Sequence, residues 1–469
     1  MSFRRMAPAS QSKPFLQNAV GALLILLPLW QTQCPAFCMQ TKANGHEVLK
    51  GLENEDTRLA QYMETLVWPK LTCFHAFGQT YKLPFRSRAA GNRKSPTSAQ
   101  LEYLGGFFDG DGCVACKSDL TACWLSMGQV AINAEVLVLF VEFFGGCIYR
   151  QANGQGIRQP KLQWQVHCQE ARAAAKQLSS VCLGKREQLD LVSNWWDNKD
   201  ERQLVADQLR EQKKRPPTIP SELSLSWPYL AGLSDSAGCI KLRPNQNSKA
   251  VKLEITQKYK ALLLLSKAFL DRQFEESGAE IYSCTKSAFR LEITDQKTVR
   301  TLLQELLKAG LMIKASTARC ALAPHRNHAS MREQLSATIT GNQGRYTRLD
   351  AQGCQRSKSI KSLRSKMRAA QRKHDSKSVE QLENQLATLQ LHHDIENAKC
   401  RIRRRKEDIK MLLAAGATSS KPSPASVVDL DHDLVSSEKN ESAPIVVCHR
   451  IIRPRLAEHL FNVSNRRIN

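Results

Sequence analysis

Asp111 is the eighth residue of the nonapeptide LGGFFDGDG, residues 104–112, and Ala237 is the eighth residue of a related nonapeptide, LAGLSDSAG, residues 230–238. A carboxylate that closes an apolar, glycine-punctuated segment is a hard oxygen donor of the kind that suits Mg2+ or Mn2+. The methyl group of Ala237 offers no such donor. Asp235 stands two residues earlier, and residues two apart on a helix do not share a face, so its carboxylate is not expected to stand where Ala237 does. Cys113 and Cys116 have CxxC spacing, but no second Cys or His pair follows at zinc-finger distance. Residues three apart on a strand point to opposite faces, so no zinc site is expected there.

Two helices must carry the nonapeptides. Each begins after a tyrosine, Tyr103 or Tyr229, and each is followed by a cysteine and a β-branched residue. The small residues Gly105, Gly106, Ala231 and Gly232 would let the two helix backbones approach closely, with Leu104, Phe107, Leu230 and Leu233 filling the cores on either side. Gly112 and Gly238 suit the left-handed residue that ends a helix, which places position eight at its C-terminal end. Downstream the two copies continue in parallel. LSMGQV, ending at Val130, and VKLEIT, residues 251–256, read as strands, and apolar helical patterns follow at 135–144 and 261–269. Hairpin signals and two further helical segments complete each copy. The expected fold class is α+β, with two pseudosymmetric αββαββα halves and a helical basic C-terminal extension.

The repeated nonapeptide in a basic chain resembles the LAGLIDADG homing endonuclease family, of the two-motif, single-chain type, over about half the sequence. The resemblance implies that position eight binds a divalent metal, Mg2+ or Mn2+, at a scissile phosphate, so Asp111 is the metal ligand and the second site lacks one. It also implies a polar residue on the strand after the motif that orients water, matched by context to Gln129 and Glu254. It further implies a phosphate-stabilising lysine before the final helix, matched to Lys185 and Lys314. The antiparallel sheets would form a saddle in the DNA major groove, since a two-stranded ribbon fits that groove. Its candidate contacts are Lys117, Arg150, Gln151, Arg158, Lys161 and Gln163 in the first copy, and Lys241, Arg243, Asn245, Lys252 and Lys286 in the second. The implied activity is site-specific hydrolysis of double-stranded DNA, weakened or reduced to nicking by Ala237. The alternatives are an RNA maturase that binds structured intron RNA and a DNA-binding module without catalysis. One chain supplies both halves, so a monomer is expected.

The composition agrees with a polyanionic partner: 68 Lys and Arg against 44 Asp and Glu give a formal charge of +24 over 469 residues. Fifteen scattered cysteines, an odd number in a long chain, do not form a disulfide framework. A mean hydropathy of −0.40 excludes a multi-span membrane protein. Residues 1–98 are expected to be a targeting or linker region. They carry Arg4, Arg5 and Lys13, then an apolar run from Val20 to Trp30 that is too short to span a bilayer and resembles a signal-peptide core, and then a basic acid-free stretch at 68–98. This reads as an organellar address, plastid or mitochondrial, although acids between His46 and Glu64 depart from transit-peptide composition. The first repeat is expected at 99–199, a linker at 200–220 and the second repeat at 221–325. A basic helical or coiled-coil extension follows at 341–415, with partial heptads and the run RIRRRK at 401–406, and then a disordered tail at 416–469. That run reads either as a phosphate-binding helix or as a solvated helix face.

Overall fold

A computed structural model describes residues 35–87, 93–195, 198–219, 225–243, 249–285, 287–326, 328–338 and 343–419. The apolar run at 20–30, the basic leader and most of the expected tail therefore lie outside the described residues. No helix among those described is long and apolar enough to cross a membrane. The chain divides into two compact units, residues 1–58 with 349–403 and residues 59–348 with 404–469.

In chain order the elements before the first motif are α1 (Pro35–Thr65), β1 (Cys73–Ala76), β2 (Gln79–Lys82) and β3 (Phe85–Arg86). The first repeat comprises α2 (Ser98–Asp111), β4 (Gly112–Cys116), β5 (Cys123–Val130), α3 (Ala134–Phe144), β6 (Cys147–Ala152), β7 (Lys161–His167), α4 (Cys168–Ser179) and α5 (Arg186–Ser193), and α6 (Lys199–Gln212) follows it. The second comprises α7 (Trp227–Ala237), β8 (Gly238–Leu242), β9 (Val251–Gln257), α8 (Lys260–Gln273), β10 (Ala279–Thr285), β11 (Ala288–Ile293), α9 (Gln296–Lys308) and α10 (Ala315–Leu322). After it come α11 (His328–Thr338), α12 (Ala351–Arg372) and α13 (Ser376–Ala414). The two αββαββα halves are thus present, with the helical extension behind them.

Local chemistry starts both motif helices. Thr97 and Gln100 form a reciprocal capping box at the start of α2, with hydrogen bonds of 3.2 and 3.0 Å. Ser226 Oγ accepts from Tyr229 N at 3.2 Å at the start of α7. Each half builds an antiparallel sheet, ordered β3-β6-β7-β5-β4 in the first and β10-β11-β9-β8 in the second. Alternation along β7 buries Leu162, Trp164 and Val166 against the helices and turns Lys161, Gln163 and Gln165 outward. Trp164 donates its indole N–H to Gly145 O at 2.8 Å and packs on Phe140. Leu104, Phe107, Leu230 and Leu233 are all fully buried, each worth roughly 1.5–3 kcal/mol.

Four segments differ from their compositional reading. Residues 68–87 are folded rather than linker: Gly78 adopts a left-handed φ of 73° in the β1–β2 turn, Phe74 stacks on Tyr81 at 5.3 Å, and β3 joins the edge of the first sheet. Their aromatic residues, not their basic ones, decide the outcome. Most of the expected linker at 200–220 is α6, because Val205, Ala206 and Leu209 recur at helical spacing and are buried. At the start of the expected tail, Val67 and Thr418 pair their backbones at 2.8 and 3.0 Å, so residues up to 419 are ordered. The extension is also not one body: its residues 349–403 group with residues 1–58, and those from 404 onward group with the repeats.

Most of the run at 401–406 is spent internally, although Arg403 remains exposed. Arg401 pairs with Asp56 at 3.0 Å. Arg404 donates to the Arg345 and Arg348 carbonyls, and Arg405 lies 4.1 Å from the Tyr346 ring centroid. Tyr346 in turn donates to Asp408 at 2.6 Å, and Arg345 pairs with the same carboxylate at 2.7 Å.

Candidate active site

The close approach of the motif helices rests on position three. A Cβ on Gly106 would collide with the Tyr229 carbonyl of α7, and one on Gly232 with the Tyr103 carbonyl of α2. Position seven adds a third contact, because a Cβ on Gly110 would collide with Ser236. Gly105 does not belong to this seam: its Cβ direction meets Val181, after α4 of its own repeat. Ala231 is fully buried. Gly112 and Gly238 are not left-handed but extended, with φ of −71° and −87°, since each passes directly from helix to strand. A side chain is still excluded, by Phe108 at Gly112 and by the Ser234 backbone at Gly238.

The sixth-position acids turn the seam into a frame. Asp109 accepts backbone N–H bonds from Leu183, Gly184 and Lys185 at 2.7, 2.9 and 2.7 Å, and the Tyr229 hydroxyl reaches it from the other motif helix. Asp235 mirrors this, accepting from Met312, Ile313 and Lys314 at 2.6, 3.1 and 2.7 Å and from the Tyr103 hydroxyl at 2.8 Å. Burial raises the Asp235 carboxyl above its ordinary value, against the pull of Lys314 and these donors. Burial and the facing carboxylate push both tyrosine hydroxyls well up, so they stay protonated as donors. These two acids position the lysine-bearing loops and are not available to a ligand. The sequence carries their signal only as a Tyr followed six residues later by an Asp in each copy, Tyr103 with Asp109 and Tyr229 with Asp235.

The frame delivers four of the expected residues to one place. Asp111 ends α2 at a solvent-accessible position where the surrounding protein still partly desolvates its carboxyl, and Gln129 donates from Nε2 to Asp111 Oδ2 at 2.6 Å. Lys185 Nζ donates to the carbonyls of Phe108 and Asp109, each at 2.7 Å, and Lys314 Nζ donates to the Asp235 carbonyl. Each lysine therefore caps the C-terminal end of a motif helix, where the dipole favours a cation. Burial lowers both lysines below the ordinary 10.5, with Asp109 and Asp235 respectively as the largest opposing charges and Asp111 acting on both. Burial raises Asp111 above 3.8, opposed first by Lys314, then by Lys185 and the Gln129 bond.

Glu254 is not the counterpart of Gln129. Gly112 pairs with Met127 and Gly238 with Ile255, so the strand after the motif arrives two residues later in the second copy. Gln257 stands at the level of Gln129, and Glu254 at that of Ser126, on the outer face of its sheet. There its buried carboxylate takes Lys241 at 2.5 Å, Lys252 at 2.7 Å and Arg290 at 3.6 Å. Burial alone would raise Glu254, but its bonds to Lys241 and Lys252 outweigh this and lower it. Lys252 is raised in return, although its own burial works against this, and it also holds Glu292 at 3.0 Å.

The remaining expected contacts separate by face. Lys117, Gln151, Lys161 and Gln163 lie on the outer side of the first sheet or at its margin. Arg150 pairs in register with Leu162 and so belongs to the helix-facing side, where its Nη1 is buried. Arg158 is exposed but bound to Glu64 at 2.5 Å. Lys241 and Lys252 are held by Glu254, while Arg243 is exposed. Asn245 and Lys286 lie outside the described residues.

Among the described residues no group of three or more His, Cys, Asp or Glu could hold a metal by itself. The donor set at α2 fits a cation that also draws oxygens from a bound phosphate: Gln129 occupies Asp111 Oδ2, and Oδ1 accepts no hydrogen bond among the described residues. At the end of α7 the partly buried Ala237 offers no donor.

No family model matches the chain, and no curated protein matches it. Solved structures do match. LAGLIDADG meganuclease I-AabMI bound to uncleaved DNA is 14% identical with a TM-score of 0.37, over 51% of this chain and 94% of that one. LAGLIDADG homing endonuclease I-GzeII in complex with its DNA target is 11% identical with a TM-score of 0.38, over 52% and 99%. I-SmaMI bound to uncleaved DNA in the presence of calcium ions is 12% identical with a TM-score of 0.35, over 51% and 97%.

Proposed function

We propose that the two repeats bind duplex DNA through their sheets and that the Asp111 site hydrolyses a phosphodiester bond in one strand. The observation that carries this is the convergence of Asp111, Gln129, Lys185 and Lys314 at the ends of paired helices whose other acids are committed to the frame. A divalent cation, when bound, would activate water and stabilise the leaving oxygen. Asp111 would hold it through the oxygen that Gln129 leaves open, while Gln129 fixes the carboxylate's orientation. The two lysines cannot swing freely, because helix carbonyls anchor them. Their charge is thus preorganised beneath the position a phosphate would take, which favours charge developing on its oxygens. Ala237 leaves the second strand without an equivalent.

The same alanine also supports a second reading, a binder of DNA or of structured intron RNA that does not cut. The test is selection of duplexes from a random library by the full chain, followed by incubation with Mg2+ or Mn2+. The proposal expects a recovered sequence preference, cleavage of the selected duplex, and loss of at least about 100-fold in rate on Asp111→Asn with binding retained. A preference without any cut favours the binder. Equal cleavage by the Asp111→Asn chain contradicts the assignment.

A further inference from the structure

Among the described residues, a dense group of uncommitted charge lies not in the repeats but on α12. This helix carries seven Lys and Arg, from Arg356 to Arg372, and no Asp or Glu. Its apolar side, with Ile360, Leu363, Met367 and Ala370 at helical spacing, is buried or half-buried. Arg364 reaches across to Gln390 of α13 at 3.2 Å. Opposite the apolar side lie Lys361, Arg368 and Arg372, with Lys366 on the flank; these four and the following Lys373 are all exposed. No ion pair links Lys361, Lys366, Arg368 or Arg372 to a carboxylate of the described residues; Arg372 only donates to the Arg368 carbonyl. The run at 401–406 differs: it is more conspicuous in the sequence, but Arg401, Arg404 and Arg405 are engaged by Asp56, carbonyls and Tyr346.

We propose that the exposed side of α12 is a second, sequence-independent binding surface for the phosphate backbone of duplex DNA. At 1.5 Å per residue the unpaired cations from Lys361 to Arg372 span about 17 Å, about half a turn of a duplex at about 34–36 Å. A row of unpaired cations of that length gains by releasing counterions from phosphates, with no need to read bases. The proposal rests on the chain being a DNA binder and deepens that reading: the repeats select the site, and α12 adds affinity that any duplex can satisfy. It does not require the Asp111 site to be active.

The test compares the full chain with its Lys361→Gln, Lys366→Gln, Arg368→Gln, Arg372→Gln variant, titrating a duplex of unrelated sequence and a structured RNA hairpin over a series of salt concentrations. With about 0.9 counterions released per phosphate contact, the log–log salt slope for the duplex should fall by about three to four, and affinity near 0.1 M salt by tenfold or more. The sequence preference measured by selection should be unchanged. If the fourfold variant loses helicity, the Lys361→Gln, Arg368→Gln pair replaces it, with an expected fall of about two in slope. An unchanged duplex slope overturns the proposal, and so does a fall confined to the RNA. Failure of the saddle reading looks different: sequence preference is then absent in both chains while the slope difference between them persists.

Discussion

Desolvation by the surrounding protein shifts Asp111, Lys185 and Lys314 away from their ordinary pKa values. The carboxyl is raised above 3.8 and the ammonium groups are lowered below 10.5. On the proposed function Asp111 would hold a cation only when ionised, so lowering the pH should switch cleavage off at a pH above the ordinary carboxylate value. The lysines assist only when charged, so raising the pH should switch it off below the ordinary lysine value. The single-turnover cleavage rate against pH should therefore be a bell narrower than those two reference values, and a profile flat between them would contradict the assignment. Asp109 gives a second residue-level prediction. Tyr229→Phe removes one of four donors to a buried carboxylate and should cost about 1–3 kcal/mol of stability, read as a lower denaturant midpoint. An unchanged midpoint would mean that the hydroxyl does not bear on the frame. Asp111 and Gln129 were legible from their types and context. The role of Asp109 and Asp235 was not, because it depends on backbone N–H groups some 75 residues away that no local pattern reveals.

At the scale of elements, the seam between α2 and α7 depends on Gly106, Gly232 and Gly110 rather than on the four small residues at positions two and three. Gly106→Ala would drive a methyl group into a backbone carbonyl that cannot turn aside, and should cost about 2 kcal/mol or more. Gly105→Ala first meets the Val181 side chain and should cost less. Thermal unfolding of the two variants checks this, and equal melting temperatures would contradict the seam as described. The alternating strands and apolar helices of both repeats were readable from periodicity. The position of Gln257 was not: a longer approach to β9 shifts the register by two residues, and only strand pairing exposes that shift. The second sheet spends Lys241 and Lys252 on its own Glu254 and Glu292, whereas Lys117 and Lys161 of the first form no ion pair among the described residues.

For the whole molecule, the charge of +24 proves to be unevenly available. The repeats are asymmetric in both chemistry and surface: one half carries the carboxylate and an open sheet face, and the other carries Ala237 and a self-paired one. Composition could not distinguish cations held by carbonyls and carboxylates from cations left exposed, which is why the run at 401–406 and α12 exchange the significance their sequences suggest. Nor could it separate an aromatic hairpin at 73–82 from a basic linker, since packing of Phe74, Tyr81 and Phe85 outweighs the local charge. The asymmetry of the paired helices is the central claim, and labelling the two strands of a selected duplex separately tests it most directly. On incubation of the full chain with Mg2+ or Mn2+, only one strand should be cut, at one position, with that cut lost in Asp111→Asn. Cleavage of both strands at comparable rates would contradict the account.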